Sequence, residues 1–354
     1  MTALLRAGLV GLGTMGRHHA RILSHLPGVT LAAIADPAGD TTNAGLAAPI
    51  VATLDDLLSY HLDYCVVAVP TALHAPVGLA LAHAGIPALI EKPLAPDLPT
   101  ACALAEAFEH AGLIAAVGHI ERYNPALHAM RARLADGQLG TLYQMNTRRQ
   151  GPYPPRVRDV GVVFDLATHD LDSTVWVTGK PLVSVSARAV SRSGRIPEDL
   201  VAIIGELSDG TVTSHLVNWL SPSKERVTIA TGERGSLLAD TLHGDLTYYA
   251  NGVAHTEWAA AELFRGVIEG DITRYAIAKK EPLLSEHEAF RDAITGKDTP
   301  IVTLWEAATT IAAAEAVLRA TVNGTTATPT ATRPPAPAAR PDAYMLAGVI
   351  PSSK

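Results

Sequence analysis

The stretch GLGTMG, residues 11–16, places three glycines at the spacing G-x-G-x-x-G, directly after the apolar run LRAGLV and before a helical pattern. In this context the first glycine allows a tight turn, the second lets a phosphate approach the backbone, and the third lets the helix pack on the strand. The free N–H groups at the helix N-terminus then attract a pyrophosphate. We therefore expect a dinucleotide-binding loop, with cofactor contacts from Gly11, Gly13, Thr14, Met15 and Gly16.

An acidic residue stands where such a loop needs one. Asp36 ends the apolar segment VTLAAIAD, twenty residues after Gly16. A carboxylate at this point accepts hydrogen bonds from the ribose 2′-hydroxyl of NAD and repels the 2′-phosphate of NADP. No arginine follows Asp36 directly, so we expect NAD as the cofactor rather than NADP.

Apolar runs and helical patterns alternate through the first 120 residues. The segments VTLAAIAD, DYCVVAVP, IPALIEKP and LIAAVGH indicate four further strands with helices between them, which predicts a parallel sheet. After residue 120, segments such as TLYQMNTRRQ and LVAIIGELS are typical of antiparallel strands. We predict an α/β chain with a Rossmann domain over 1–120, an α+β domain with a large, open, mostly antiparallel sheet over 121–323, and a flexible tail rich in Pro, Ala and Thr over 324–354.

Local signals predict where several helices begin. Asn124 followed by Pro125 is typical of an N-cap and a first helical residue. Two capping boxes are expected in the later helices, one from Ser285 to Glu288 and one from Thr303 to Glu306.

Composition excludes several classes of function. The net charge is −7 and the pI is about 6.0, which gives no basic surface for nucleic acid.

The only two cysteines, Cys65 and Cys102, lie in apolar segments and are expected to be buried free thiols of a reducing compartment. The segment 65–90 has no Asp, Glu, Lys or Arg, but its prolines and histidines indicate strands and a helix instead of a membrane span. No signal peptide is evident, so a cytoplasmic protein without membrane partners is expected.

The stretch GVVFDLATHDLD, residues 161–172, places Asp165 and His169 four residues apart, and therefore on one face of a helix. A solvated helix face or a polar pair at the edge of the core is the ordinary interpretation. An acid/base site is the alternative. A zinc site would need further ligands at metal spacing, and none is expected.

The segment AVPTALHAPVGLALAHAGIPALIEKPLA, residues 68–95, resembles the Gfo/Idh/MocA family of NAD(P)-dependent oxidoreductases that act on sugars and cyclitols. The resemblance implies that Lys92 lies beside the nicotinamide and the substrate, and the peptide bond before Pro93 is a candidate cis bond. It also matches Asp165 and His169 to the D-x-x-x-H pattern of the second domain, which points into a cleft between domains. By the same resemblance, the cofactor edge is lined by Pro70, Thr71, His74 and Glu91, together with Lys92.

The chemistry of these residue types agrees with that implication. Oxidation of a secondary alcohol removes a hydride from carbon and a proton from oxygen. A neutral histidine takes such a proton near physiological pH, and a lysine ammonium stabilises the developing alkoxide. Lys92, His169 and Asp165 are therefore the expected catalytic residues, with Asp165 binding the same hydroxyl or orienting the ring.

Two further segments suggest a substrate. GHIERYNPA at 118–126 and RRQGPYPPRVRDVGVVFDLATHDLD at 148–172 resemble the branch of UDP-N-acetylglucosamine 3-dehydrogenases. Arginines bind phosphate through two hydrogen bonds, so a cluster of them before the predicted catalytic helix suits a diphosphate-bearing sugar. A solvated strand edge is the alternative interpretation of that cluster, which comprises Arg148, Arg149, Arg156 and Arg158. The expected substrate contacts are Tyr123, Asn124, Arg149 and Arg158.

These features favour an enzyme that oxidises a ring hydroxyl with NAD, with carbon 3 of a UDP-N-acetylamino sugar as the leading substrate. An inositol or free-sugar dehydrogenase is the alternative within the same family. A non-catalytic NAD-binding sensor or partner protein is the alternative from another class. The open sheet is expected to be buried in a homodimer or homotetramer.

Overall fold

The computed structural model describes residues 4–41, 45–154, 160–194, 196–252, 268–330 and 332. Its first half alternates strands and helices. These elements are β1 (Leu5–Val10), α1 (Thr14–Leu23), β2 (Val29–Ala35), β3 (Ile50–Val51), α2 (Leu54–Leu58), β4 (Tyr64–Val67), α3 (His74–His83), β5 (Ala88–Ile90), α4 (Leu98–His110) and β6 (Ala115–Val117).

The first sheet is parallel throughout, with strand order β3-β2-β1-β4-β5-β6. The order reverses between β1 and β4, and ligands of such sheets bind in the crevice at that reversal, beyond the carboxyl ends of the strands. The predicted Rossmann fold is confirmed. Sequence reasoning missed β3, because a strand of two residues carries no periodicity.

The second half is built on a larger sheet. Its elements are α5 (Pro125–Ala135), β7 (Leu142–Pro152), α6 (Thr168–Thr178), β8 (Leu182–Val190), β9 (Leu200–Leu207), β10 (Val212–Asn218), β11 (Leu220–Gly232), β12 (Gly235–Asp240), β13 (Asp245–Gly252), β14 (Ile268–Tyr275), α7 (Pro282–Ile294) and α8 (Leu304–Asn323). The strand order is β14-β13-β12-β11-β7-β10-β9-β8, and only the β10–β7 pairing is parallel. This confirms the predicted large, mostly antiparallel sheet.

The two halves share apolar cores, so the predicted boundary at 121–323 needs correction. Phe290 of α7 packs with Leu9, Leu23 and Ile34 in the core of the first sheet. The N-terminal half of α8 packs into the same domain, in a core with α3 and α4, and its C-terminal half packs under the second sheet. Residues 282–312 therefore complete the dinucleotide-binding domain, although they follow the second sheet in the chain. The predicted tail, 324–354, lies largely outside the described residues.

The predicted helix starts have mixed outcomes. Asn124 caps α5 with Pro125 at the first helical position, and Thr303 forms the expected capping box with Glu306. The capping box predicted at Ser285 is wrong. Helix α7 begins three residues earlier, at Pro282, so Ser285 lies inside the helix.

Both cysteines are free, and burial raises the pKa of the Cys65 thiol to about 12. Cys102 is only half-buried, which corrects the expectation that both are buried. Among the residues that the structure describes, no helix is long and apolar enough to span a membrane.

Candidate active site

Two of the three glycines in GLGTMG leave no room for a side chain. Gly11 has a φ of +92°, and a Cβ on it would lie 2.5 Å from the carbonyl oxygen of Ala68. A Cβ on Gly16 would lie 2.0 Å from the carbonyl oxygen of Gly11, so α1 packs directly on the turn. A Cβ on Gly13 would meet no described atom within 4 Å. The backbone before α1 is therefore open to the approach of a phosphate.

Asp36 follows β2 and is joined to this loop. Its Oδ2 accepts a hydrogen bond from the Leu12 N–H at 2.6 Å, and its Oδ1 accepts one from the Ala38 N–H at 2.8 Å. Each carboxylate oxygen can still accept a second hydrogen bond, for example from a ribose hydroxyl. Thr14 is exposed and Met15 half-buried in the first turn of α1. The open loop, the helix terminus and the carboxylate fit the pyrophosphate and ribose of NAD.

The residues that follow β4 begin directly against this loop, since Ala68 and Val69 are the neighbours of Gly11. Pro70 is exposed and Thr71 half-buried, so both are accessible. His74 is enclosed, because its Nδ1 and Nε2 each lie 2.9 Å from a backbone carbonyl oxygen, those of Pro93 and Val69. Burial lowers the pKa of His74. The ring of His74 therefore joins the end of β4 to the segment after β5, and its place at the cofactor edge stays a prediction.

Lys92 follows β5 and reaches the second half of the chain. The peptide bond between Lys92 and Pro93 is cis, as predicted. The Nζ of Lys92 donates hydrogen bonds to the backbone carbonyl of Asp165 at 2.7 Å and to its Oδ1 at 3.0 Å. An ammonium has three N–H donors, so one remains beyond these two contacts.

Asp165 lies in a π-helical turn, Val163–Ala167, that continues into α6. Such turns are rare and occur frequently at functional sites. The Oδ2 of Asp165 and the Nδ1 of His169 are both buried, with no hydrogen-bond partner among the described residues. Burial lowers the pKa of His169 well below 6.5, and the positive charges of Lys92 and Arg149 add to that shift. The ring is therefore neutral near physiological pH, and it lies within the electrostatic reach of Lys92.

Glu91 lies in a buried chain of polar groups next to Lys92, and its place at the cofactor edge stays a prediction. Its Oε2 accepts a hydrogen bond from the Lys92 N–H at 3.0 Å, and its Oε1 lies 2.9 Å from the Nε2 of His19. The Nδ1 of His19 lies 2.8 Å from the Nε2 of His287 on α7. Burial acts to raise the pKa of Glu91, but His19 and Lys92 outweigh burial and leave that pKa lowered. The carboxylate therefore fixes the backbone beside the Lys92 side chain.

A second buried network joins the turn after β6 to two helices. The Nε and Nη2 of Arg122 donate to the two carboxylate oxygens of Asp172 on α6, at 2.9 and 2.7 Å. The Nη1 of Arg122 contacts Glu306 of α8. Burial acts to lower the pKa of Arg122, and the two carboxylates outweigh it and raise that pKa. Sequence reasoning missed this network, which holds α6 against the dinucleotide-binding domain.

The two residues predicted to contact substrate after β6 differ in their surroundings. The Oδ1 of Asn124 accepts a hydrogen bond from the Ala126 N–H, and its Nδ2 donates to the carbonyl of Thr241. Asn124 is buried and its amide is used by the backbone, so the structure does not support a substrate contact there. Tyr123 is half-buried, and its contact with substrate stays a prediction.

The predicted arginine cluster is not one surface. Arg148 and Arg149 are neighbours on β7 and point to opposite faces of the sheet. Arg148 pairs with Glu225 on the outer face, at 2.7 Å. Arg149 is buried on the inner face, with its Nε 3.1 Å from the carboxylate of Asp170 and its Nη1 2.8 Å from Glu121. This compensated charge does not support Arg149 as a diphosphate contact. Arg156 and Arg158 lie outside the described residues.

The inner face carries another arginine that sequence reasoning did not single out. Arg226 of β11 is paired across the strands with Arg149. Its Nη1 lies 3.7 Å from the Oε1 of Glu121. Among the residues that the structure describes, no three His, Cys, Asp or Glu side chains are arranged to hold a metal ion.

Two family models match this chain. The oxidoreductase family with an NAD-binding Rossmann fold matches residues 5–119, and the GFO/IDH/MocA C-terminal domain matches residues 127–238. Together these models cover more than half of the chain.

Relatives with known activities agree with these matches. An inositol 2-dehydrogenase of Saccharopolyspora erythraea is 33% identical over 55% of this chain, which spans 60% of that relative's length. The UDP-N-acetylglucosamine 3-dehydrogenase of Acidithiobacillus ferrooxidans is 29% identical over 82% of this chain and 88% of its own. A crystal structure of the latter enzyme, GnnA, is similar with a TM-score of 0.77 and 27% identity, over 90% of this chain and 98% of its own. The chain therefore belongs to the GFO/IDH/MocA family of NAD-dependent oxidoreductases.

Proposed function

We propose that the protein oxidises a ring secondary hydroxyl of a sugar with NAD, and that this hydroxyl is at carbon 3 of a UDP-N-acetylamino sugar. The ion pair between Lys92 and Asp165, beside a neutral His169, carries the proposal. This ion pair brings the Lys92 ammonium, from the dinucleotide-binding domain, against the helix that carries the His169 imidazole. An ammonium and a neutral imidazole are the two groups that alcohol oxidation needs.

Each residue of the site has a distinct task in the reaction. When bound, NAD supplies the acceptor for the hydride that leaves the carbinol carbon. The remaining N–H of Lys92 donates to the substrate oxygen and stabilises the negative charge that develops there. The neutral ring of His169 accepts the hydroxyl proton as the C–O bond becomes a carbonyl. Asp165 holds the ammonium in place through its Oδ1 and its backbone carbonyl.

NAD is proposed over NADP because of Asp36. The carboxylate lies beside the phosphate loop through its contact with the Leu12 N–H, where a 2′-phosphate would meet a negative charge. Initial rates with each cofactor test this choice. A higher kcat/KM with NADP than with NAD would contradict it.

The choice of substrate rests on similarity. The relative from A. ferrooxidans carries a UDP-N-acetylglucosamine 3-dehydrogenase activity and aligns with most of the chain. An inositol or free-sugar dehydrogenase is the second candidate. It is favoured by the inositol 2-dehydrogenase relative and by the buried, compensated state of Arg149, which removes one of the arginines expected to meet a diphosphate.

A spectrophotometric screen for NADH formation tests the proposal, with UDP-N-acetylglucosamine, inositols and free sugars as substrates. Lys92→Ala and His169→Ala are each expected to abolish turnover and to leave NAD binding, measured by calorimetry, within about twofold of the parent. The exposed residues Lys180 and His243 provide matched controls, and alanine at either is expected to leave turnover unchanged. Normal turnover in both site variants would overturn the assignment of the site.

A further inference from the structure

Arg226 lies near two residues of the proposed site, His169 and Asp165. It is on β11, on the inner face of the second sheet, directly across from Arg149 of β7. Its charge contributes to the lowered pKa of His169, and the charge of Asp165 acts on Arg226 in return. The guanidinium is therefore within electrostatic reach of both residues.

The positive charge of Arg226 is poorly compensated within the described part of the chain. Arg149 takes the two neighbouring carboxylates, with contacts of 2.8 Å to Glu121 and 3.1 Å to Asp170. Arg226 shares only the Oε1 of Glu121, at 3.7 Å, and its side chain makes no hydrogen bond to another described residue. The other oxygen of Glu121, Oε2, is buried and makes no hydrogen bond to a described residue, Arg226 included.

The electrostatic state of the guanidinium agrees with this geometry. Burial and then the charge of Arg149 lower the pKa of Arg226, and the nearby carboxylates offset them only in part. The pKa of Arg149 is raised instead, because Asp170 and Glu121 outweigh its burial. Of the two facing arginines, Arg149 has its charge compensated by carboxylates of the protein. An added anion would stabilise the positive charge of Arg226.

Accessibility distinguishes the two arginines as well. The Arg226 side chain is 40% exposed, whereas that of Arg149 is 5% exposed. A guanidinium offers a planar pair of N–H donors that matches two oxygens of a phosphate. A ligand phosphate could therefore reach Arg226 without displacing a protein carboxylate from it.

We propose that Arg226 is a specificity-determining residue that binds a phosphate of the substrate's diphosphate, while Lys92 and His169 act on the ring. This inference rests on the proposed function and assigns the diphosphate contact to β11, in place of the Arg149 that the sequence predicted. An uncharged cyclitol or free sugar carries no phosphate, so Arg226 does not strengthen its binding.

Substrate kinetics of Arg226→Gln test this role. With UDP-N-acetylglucosamine, KM is expected to rise about tenfold to hundredfold, the range for loss of a charge-assisted hydrogen bond, with kcat within about threefold. With an uncharged substrate that the parent enzyme turns over, KM is expected to stay within about threefold of the parent value. Arg226→Lys keeps the charge without the planar fork, and an intermediate KM is expected. Equal losses with charged and uncharged substrates would overturn the proposal.

Arg319→Gln is a matched control. Arg319 lies on α8, is 41% exposed, and forms an ion pair of 3.7 Å with Glu315, so it equals Arg226 in exposure and in ion-pair distance. Its replacement is expected to leave KM unchanged for every substrate. A comparable rise of KM in Arg319→Gln would show that the effect of Arg226→Gln comes from the loss of a positive charge in general and not from a lost contact with the substrate.

Direct binding separates this inference from the proposed function. The NAD-saturated protein is titrated with UDP by calorimetry, since saturation keeps UDP out of the dinucleotide site. The parent is expected to bind UDP, and Arg226→Gln to bind it about tenfold to hundredfold more weakly. Equal UDP affinity in the two proteins, or no UDP binding by the parent, would overturn the role of Arg226. If the parent binds UDP through Arg226 but oxidises no sugar, the proposed function fails and the anion site stands.

Discussion

The surroundings of His169 determine its protonation state. Enclosure and the charges of Lys92 and Arg149 favour the neutral ring, so the residue accepts a proton without first losing one. Helical spacing places Asp165 and His169 on one face, the family resemblance marks them as site residues, and the structure brings both close to Lys92.

The lowered pKa of His169 predicts the acid limb of the pH profile. A base must be neutral to work, and protonation of this ring begins only as pH falls through its lowered pKa. We expect kcat/KM for the leading substrate to hold as pH falls through 6.5 and to decline only well below that value. The measurement is kcat/KM across pH in buffers of constant ionic strength, with unfolding monitored at each pH. An acid limb centred at or above pH 6.5 would contradict a neutral, enclosed base.

Glu286 predicts a pH dependence of stability. Both of its carboxyl oxygens are buried without a described hydrogen-bond partner. Burial and the charge of Glu91 raise its pKa well above the usual value. The folded state thus holds this proton more tightly than the unfolded chain, and its contribution to stability is lost as pH rises from about 4.3, the value in an unfolded chain, towards the raised pKa.

Glu286→Gln removes that titration and tests the linkage. The free energy of unfolding of the variant, relative to the parent, is expected to increase between pH 5 and pH 8. Urea unfolding at both values measures it, and Glu269→Gln, at an exposed site on β14, is the control that should show no such change. A difference between variant and parent that is the same at both pH values would contradict the raised pKa.

The arginines show why some site residues escape sequence reasoning. Residues on one helix, such as Asp165 and His169, have a fixed spacing that a sequence displays. Arg149 and Arg226 meet through the register of two antiparallel strands, separated by 77 positions, and that register depends on the whole sheet. The chain from Glu91 through His19 to His287 depends likewise on the packing of α7 against α1.

At the scale of elements, helix starts show which local signals are decisive. Thr303 and Glu306 cap α8 in both directions, since each side chain accepts a hydrogen bond from the other's backbone N–H. Ser285 and Glu288 have the same spacing, but Pro282 begins α7 one turn earlier. A proline suits the first turn, where its missing N–H is not needed, and here it defines the start of the helix.

These two sites predict opposite responses to alanine. Thr303→Ala removes a real cap and is expected to lower the free energy of unfolding by about 1 kcal/mol. Ser285→Ala replaces an internal helical residue and is expected to change it by no more than about 0.5 kcal/mol, in the stabilising direction. Denaturant midpoints of the two variants measure the contrast. Equal destabilisation by both changes would contradict the helix starts described here.

At the scale of the whole molecule, the outer face of the second sheet carries several exposed apolar side chains that the described helices do not cover. Ile204, Val212, Tyr249 and Ile272 are exposed there, on four different strands. An apolar patch of this kind favours self-association. The sequence predicts a homodimer or homotetramer through this face.

Sedimentation measures that association. The parent is expected to sediment as a dimer or tetramer, and the double change Ile204→Asp and Ile272→Asp to shift it to a smaller species. Val322→Asp, at an exposed apolar residue on α8, is the control. A parent that sediments as a monomer would contradict the predicted interface.

Helix α8 completes two cores at once, and this affects how the chain folds during synthesis. Its N-terminal half supplies Leu304 and Ile311 to one core, and its C-terminal half supplies Val317 and Ala320 to the other. These two cores stay incomplete until this helix has left the ribosome, although both sheets emerge before it. Nascent chains that stop short of residue 304 therefore carry exposed apolar surface, which makes them substrates for chaperones.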